Sequence, residues 1–132
     1  MKLLYENQQE DADPKNGMII SSGTQLDAVL DAGRIGTPVF VRLSGDNGFE
    51  IMVGIGRNVG CIQYSRSDGE PPYLVALSVD CPTEGEDVEF WTGGTATPIP
   101  ARFILSSDEL KQIALHFLET GQRSDAVFWE SI

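Results

Sequence analysis

Histidine occurs once in this chain, at His116, and cysteine twice, at Cys61 and Cys81. A zinc hydrolase or deaminase needs several His and Cys ligands, in deaminases with His-x-Glu and Cys-x-x-Cys spacing, and that set is missing. The two cysteines have no second pair and no Cys-x-x-Cys spacing, so they read as free, buried thiols. A Ser-His-acid triad would have to be built around His116. No GxSxG elbow accompanies it, and its helical position borders an apolar face, so a partly covered, non-catalytic imidazole is expected.

Long apolar runs are also lacking. No stretch approaches the ~20 apolar residues of a membrane span, and the opening "MKLLYENQQE" turns polar too early for the core of a secretory signal. Positive charge is scarce: nine Lys and Arg face twenty Asp and Glu, a formal net charge of -11. Such a chain repels phosphate backbones and anionic headgroups, and it attracts a basic protein partner. Acidity that merely maintains solubility is the plainer reading. A cytoplasmic, reducing-compartment protein with no direct nucleic-acid or membrane contact is expected.

What is present suffices for one domain with one core: 132 residues, 41% hydrophobic and 22% charged. Residues 1–17 read as a mobile lead-in or a short strand at Lys2 to Tyr5, and residues 18–132 as the folded domain. In "SSGTQLDAVLDAGRIG", Ser22 and Gln25 have capping-box spacing, Leu26, Val29 and Leu30 form a stripe, and Gly33 offers a stop. From Pro38 to Phe103 short β-branched and aromatic runs alternate with turn residues: "PVFVRLS", "FEIMVGIG", "VGCIQYSR", "YLVALSV" and "DVEFW". Arg57 and Asn58 sit at a tight hairpin connection. Gly54, Gly56 and Gly60 flank that hairpin with no following helix and no GK[ST], so they mark bulges or close approach and not a phosphate loop. "TGGTATPIPARF" reads as a loop or irregular edge, because Pro98 and Pro100 cannot both donate in a ladder.

The closing helix is doubly specified at its start. Ser106 and Glu109 form a capping box, and Leu105 can staple onto Leu110. Leu110, Ile113, Ala114, Phe117 and Leu118 make one apolar face, and Gly121 supplies the left-handed stop. Leu115 lies about 140 degrees away from Leu110 and either touches another element or is a stray exposed leucine. In "AVFW", Val127 and Trp129 share one strand face and Phe128 takes the other. The fold class is α+β: a twisted, mostly antiparallel sheet with two helices packed on it and a C-terminal strand after the last helix.

The most informative charge pattern lies between Ser67 and Ala101, where seven acids occur (Asp68, Glu70, Asp80, Glu84, Glu86, Asp87 and Glu89) and no Lys or Arg. Read functionally, the loops "SDGEPP" and "DCPTEGEDVEFWTGG" present Asp68, Glu70, Glu84, Glu86, Asp87, Glu89 and Trp91 to a basic cleft on a partner. The alternative is a solvated acidic face with Trp91 folded into the core.

The segment "LSSDELKQIALHFLETGQRSDAVFWES" resembles the end of the first-numbered immunity-protein family of bacterial polymorphic toxin systems, through Phe117, Leu118, Thr120, Gly121, Arg123, Val127 and Trp129. The central "FEIMVGIGRNVGCIQYS" is similar to that family's glycine-broken hairpin, whereas Ser124 stands where a proline often follows the Arg. The resemblance implies a non-enzymatic antitoxin without a cofactor, which binds a cognate toxin, commonly a nucleic-acid deaminase, in interbacterial competition. Phe117, Gly121, Arg123 and Trp129 are fold signatures on this reading. Arg123 is expected to tie a carboxylate or a loop carbonyl. The other readings are an adaptor module binding a basic protein through a sheet edge or the Leu115 face, and a small carboxylate hydrolase.

Overall fold

The computed structural model describes residues 1–9, 13–35, 38–78 and 85–132. The strands β1 (Leu3–Asn7), β2 (Ile19–Ile20), β3 (Val39–Gly45), β4 (Phe49–Ile55), β5 (Val59–Arg66), β6 (Leu74–Leu77) and β10 (Phe128–Ser131) line up in the order β10-β6-β5-β4-β3-β1-β2. All neighbours on that path are antiparallel. A ribbon of β7 (Val88–Thr92) and β8 (Thr95–Ile99) branches off β3 through one parallel pairing, Val39 with Trp91. The short β9 (Leu105–Ser106) pairs with β5. The fold is thus α+β, with helices α1 (Gly23–Gly33) and α2 (Ser107–Thr120) and a strand after the last helix.

Strand alternation gives the sheet two unlike faces. Val41, Leu43, Ile51, Val53, Ile55, Ile62 and Tyr64 point into the main core together with Leu26, Val29 and Leu30 of α1 and the stripe Leu110, Ile113, Ala114, Phe117 and Leu118 of α2. Phe40, Arg42, Met52, Gly54, Cys61 and Gln63 occupy the alternate positions and form the back face. Leu3 and Tyr5 of β1 are buried in the main core. The segment after β1 is tied down as well: the Tyr5 hydroxyl and the Asn7 side chain donate to the Asp13 carboxylate at 2.9 and 3.1 Å, and the Asn7 N–H donates to the Asn16 side chain.

Both helix starts follow their sequence signals. At α2 the Ser106 hydroxyl accepts from the Glu109 N–H at 3.2 Å and the Glu109 carboxylate accepts from the Ser106 N–H at 3.0 Å. At α1 the Ser22 hydroxyl accepts from the Gln25 N–H, but the Gln25 side chain returns to the Ser21 N–H, one residue earlier than a regular box. Gly121 adopts φ 72 and donates to the Phe117 carbonyl at 2.7 Å, a left-handed stop.

Two local expectations gain detail. Gly33 is the last residue of α1, in line with its reading as a stop, although the cap after it is Arg34 in the right-handed region and not a left-handed glycine; a Cβ on Gly33 would stand 2.8 Å from Ile55 Cδ1, so helix and sheet approach closely there. Of the two readings of "TGGTATPIPARF", loop or irregular edge, the edge holds for "TATPI", which is strand β8, paired with β7 from Thr95 to Ile99. Pro98 is tolerated because β8 pairs with no strand besides β7 among the described residues, and an edge position does not need every N–H in a ladder. Gly93 and Gly94, both at positive φ, make the two-residue connection whose twist suits a hairpin. Leu115 is 37% exposed, and its Cδ1 would lie 3.3 Å from a Cβ on Gly23, so it leans on the start of α1.

Candidate functional site

The β7–β8 ribbon folds beneath the back face of the sheet. Phe90, fully buried, packs with Cys61 and Ile104, and Phe40, Val59, Val88 and Ile99 close around them. The Phe40 and Phe90 rings lie 5.4 Å apart. Gly54 makes room for this second core, since a Cβ there would meet Cys61 Sγ at 2.5 Å and the Phe90 ring at 3.0 Å. Burial pushes the Cys61 thiol up to about 12, which keeps it neutral and unreactive. Cys61 is free; Cys81 lies outside the described residues.

Alternation along the ribbon sorts its side chains. Val88, Phe90 and Thr92, with Thr97 and Ile99 opposite, face the sheet, so Glu89, Trp91, Ala96 and Pro98 form the outer surface. Glu89 is exposed, as are Glu86 and Asp87 just before the strand, while Trp91 is half-buried and belongs to neither buried cluster. Glu84 and Asp80 lie outside the described residues. Asp68 and Glu70 stand elsewhere, in the turn after β5, where the Ser67 N–H donates to Gly48 at the β3–β4 turn. That turn follows the far end of β3 from Val39, the residue paired with Trp91. Six residue steps along a strand separate the two attachments by ~20 Å. The acids are therefore brought together as two groups, one at each end of the sheet. Asp68 is already engaged: the Glu70 N–H and the Arg66 guanidinium, at 3.0 and 2.6 Å, hold its carboxyl below the usual range.

Between the ribbon and the back face lies a cleft of about 410 Å³. Its floor is Met52, Cys61, Gln63 and Val75, and its walls include Thr97, Ile99 and Phe103. Sequence reasoning missed it, because it exists only once β8 is a strand. The Thr-Gly-Gly-Thr connection between two alternating runs was the available signal. Nearby on the same face Glu50 pairs with Arg42 at 3.1 Å, and burial raises the Glu50 carboxyl while Arg42 offsets part of that rise. Among the described residues no group of three or more His, Cys, Asp or Glu is placed to hold a metal.

The signature residues are structural where they fall. Phe117 is buried and meets Tyr64 edge-on at 5.9 Å. Trp129 packs half-buried against the main core, and its indole N–H donates to the Ser124 carbonyl at 2.8 Å. Arg123 lies over the Tyr64 ring at 5.9 Å, so among the described residues an aromatic face, and neither a carboxylate nor a loop carbonyl, is the partner of its guanidinium. His116 is half-buried on α2.

A family model described as immunity protein Imm1 matches residues 14–131. The chain belongs to the Imm1 family. Its glycine-stopped α2, the Trp129 strand and the sheet back to β2 all fall within the matched span, whereas β1 precedes it. Membership in Imm1 implies a cognate toxin as partner and a role in toxin immunity. No curated protein matches the chain. Among the described residues no helix is long and apolar enough to cross a membrane.

Proposed function

We propose that this Imm1 protein is a non-enzymatic cytoplasmic antitoxin that inhibits a nucleic-acid deaminase toxin of a polymorphic toxin system by covering its active site with acidic loops. The observation that carries the proposal is the ribbon's outer surface: Glu89 is exposed on the same face as Trp91 and exposed Glu86 and Asp87 lead into the strand, in a stretch from Ser67 to Ala101 without a single Lys or Arg. An enzyme that handles DNA or RNA needs positive charge around its active site, and carboxylates can occupy places otherwise taken by phosphates. Trp91 offers an aromatic body amid those charges, the combination found at the centre of many interfaces. On this reading the ribbon is the principal contact and Asp68 and Glu70 extend the field without sharing the same footprint.

The direct test is genetic. Expressed beside the toxin encoded by the neighbouring gene, the chain should restore growth and suppress base deamination of cellular nucleic acid. Continued killing with both proteins made and folded counts against the immunity reading. Rescue without any deamination in the unprotected cells counts against the deaminase assignment alone.

A further inference from the structure

Resting on the toxin-binding reading above, we infer that the cleft between the β7–β8 ribbon and the back of the sheet receives one large apolar side chain carried on a basic surface segment of the toxin.

The lining argues for an apolar guest. Phe40, Met52, Val75, Ile99 and Phe103 supply most of it, and the neutral Cys61 thiol lies at the floor. Its polar side chains are the uncharged Gln63, Thr92 and Thr97, and Pro100 and Ile132 complete it, so no side chain of the lining neutralises a charged ligand. A volume of about 410 Å³ lies within the range of sites that bury a guest, roughly 300 to 1,000 Å³. Desolvated pockets of this kind are where interface anchors concentrate their energy.

Charge argues for what carries the guest. The wall formed by β7 and β8 bears Glu89 on its outer side and follows Glu86 and Asp87, with no cation in the ribbon. The cations beside the cleft are already paired: Arg102 lies over the Phe103 ring at 4.3 Å and meets Glu130 at 3.1 Å, and Arg42, opposite Met52, meets Glu50 at 3.1 Å, so the acids Glu86, Asp87 and Glu89 set the sign of the charge on the ribbon side. A free apolar small molecule gains nothing from that field, whereas a basic segment carrying an apolar anchor gains from both surfaces at once. The apolar surface also continues outward. Phe128 is 75% exposed, and its pairing with Leu77, two residues from Val75, puts it on the cleft's face of the sheet.

The experiment uses the full chain and a catalytically inactive toxin domain from the neighbouring gene, with association and dissociation followed by stopped flow. Thr97→Trp, which fills the cleft from β8, is expected to raise the dissociation rate at least tenfold while leaving the association rate and its salt dependence nearly unchanged. Reversal of Glu86 and Asp87 to lysine should do the opposite. A Thr97→Trp protein that melts like wild type and dissociates at the wild-type rate overturns the cleft assignment and leaves the immunity reading standing. Should that variant fold poorly, the Met52 and Ile99 methyl groups of the wild-type chain provide the second reading. Intermolecular contacts from toxin side chains to both methyls support the assignment, and their absence in a formed complex refutes it. A small apolar compound found in the free protein by native mass spectrometry, and retained in the complex, also refutes it. If the wild-type chain binds no toxin at all, both readings fall together.

Discussion

Gly121 shows how much one residue can fix. Its φ of 72 is open to glycine and strained for any side chain, and the space a Cβ would need is filled by Asn47 Nδ2 at 2.5 Å and Met1 Sδ at 3.1 Å. Asn47 in turn donates to the Gly121 carbonyl at 2.9 Å, which ties the β3–β4 turn to the end of α2. Gly121→Val combines a left-handed strain with a clash, so a loss of about 2 kcal/mol or more is expected in urea unfolding. Asp13 is a second single-residue lock. Its side chain is only 7% exposed. Desolvation would raise its carboxyl, but the Lys15 N–H, the Asn7 amide, the Tyr5 hydroxyl and the Lys15 ammonium outweigh that and hold it below its ordinary value. A carboxyl with a depressed folded value contributes stability above the unfolded value, about 4, and loses it as pH falls through the folded one. Asp13→Asn should therefore cost about 1 to 3 kcal/mol at pH 7, with the gap to wild type closing below pH 4 in parallel urea titrations.

At the scale of elements, α2 is held by more than its own cap. The Glu109 carboxylate that accepts from the Ser106 N–H also accepts from the Ser78 hydroxyl at 2.8 Å, so the cap joins the helix start to the end of β6. Ser106→Ala removes the acceptor for the Glu109 N–H and should lower stability by about 1 kcal/mol by chemical denaturation. Glu109→Ala should do more than that, since it strips a buried network and not one bond. Lys111 and Asp31 bridge the two helices at 2.8 Å, but the pair is exposed and adds little. This was also the scale at which sequence reading worked best. The capping box, the apolar stripe, the glycine stop and the hairpin at Arg57 and Asn58 are signals contained within a few residues. At β8 it left loop and irregular edge both open, because Pro98 reads as a breaker until the pairing partner is known, and at Gly33 it gave the stop without the close neighbour Ile55 in β4.

For the whole molecule the governing quantities are charge and its distribution. A net charge of -11 speeds encounter with a basic partner and makes the rate fall with added salt. Because the two acid groups sit at opposite ends of the sheet, they can be tested separately. Reversing Glu86, Asp87 and Glu89 to lysine is expected to slow toxin association by tenfold or more at low ionic strength and to flatten its salt dependence. Reversing Asp68 and Glu70 should produce a smaller, purely long-range slowing, partly because Asp68 already holds Arg66. Stopped-flow association measured at three salt concentrations distinguishes these outcomes. Effects that merely scale with the number of charges reversed, three against two, would mean that only net charge matters.

The linear order of residues determined the two helices, most strand runs and the one-sign charge of 67–101, and it carries the match to the Imm1 family, because each is a local pattern or a run of short motifs. Only the tertiary structure decided that β1 is an inner strand, that Phe90 builds a second core against Gly54, that the acids fall into two separated groups, and that a cleft opens beneath the ribbon. Those facts depend on pairings between residues distant in sequence, such as Val39 with Trp91 and Leu3 with Gly45, and no local periodicity encodes which strand a given strand will meet.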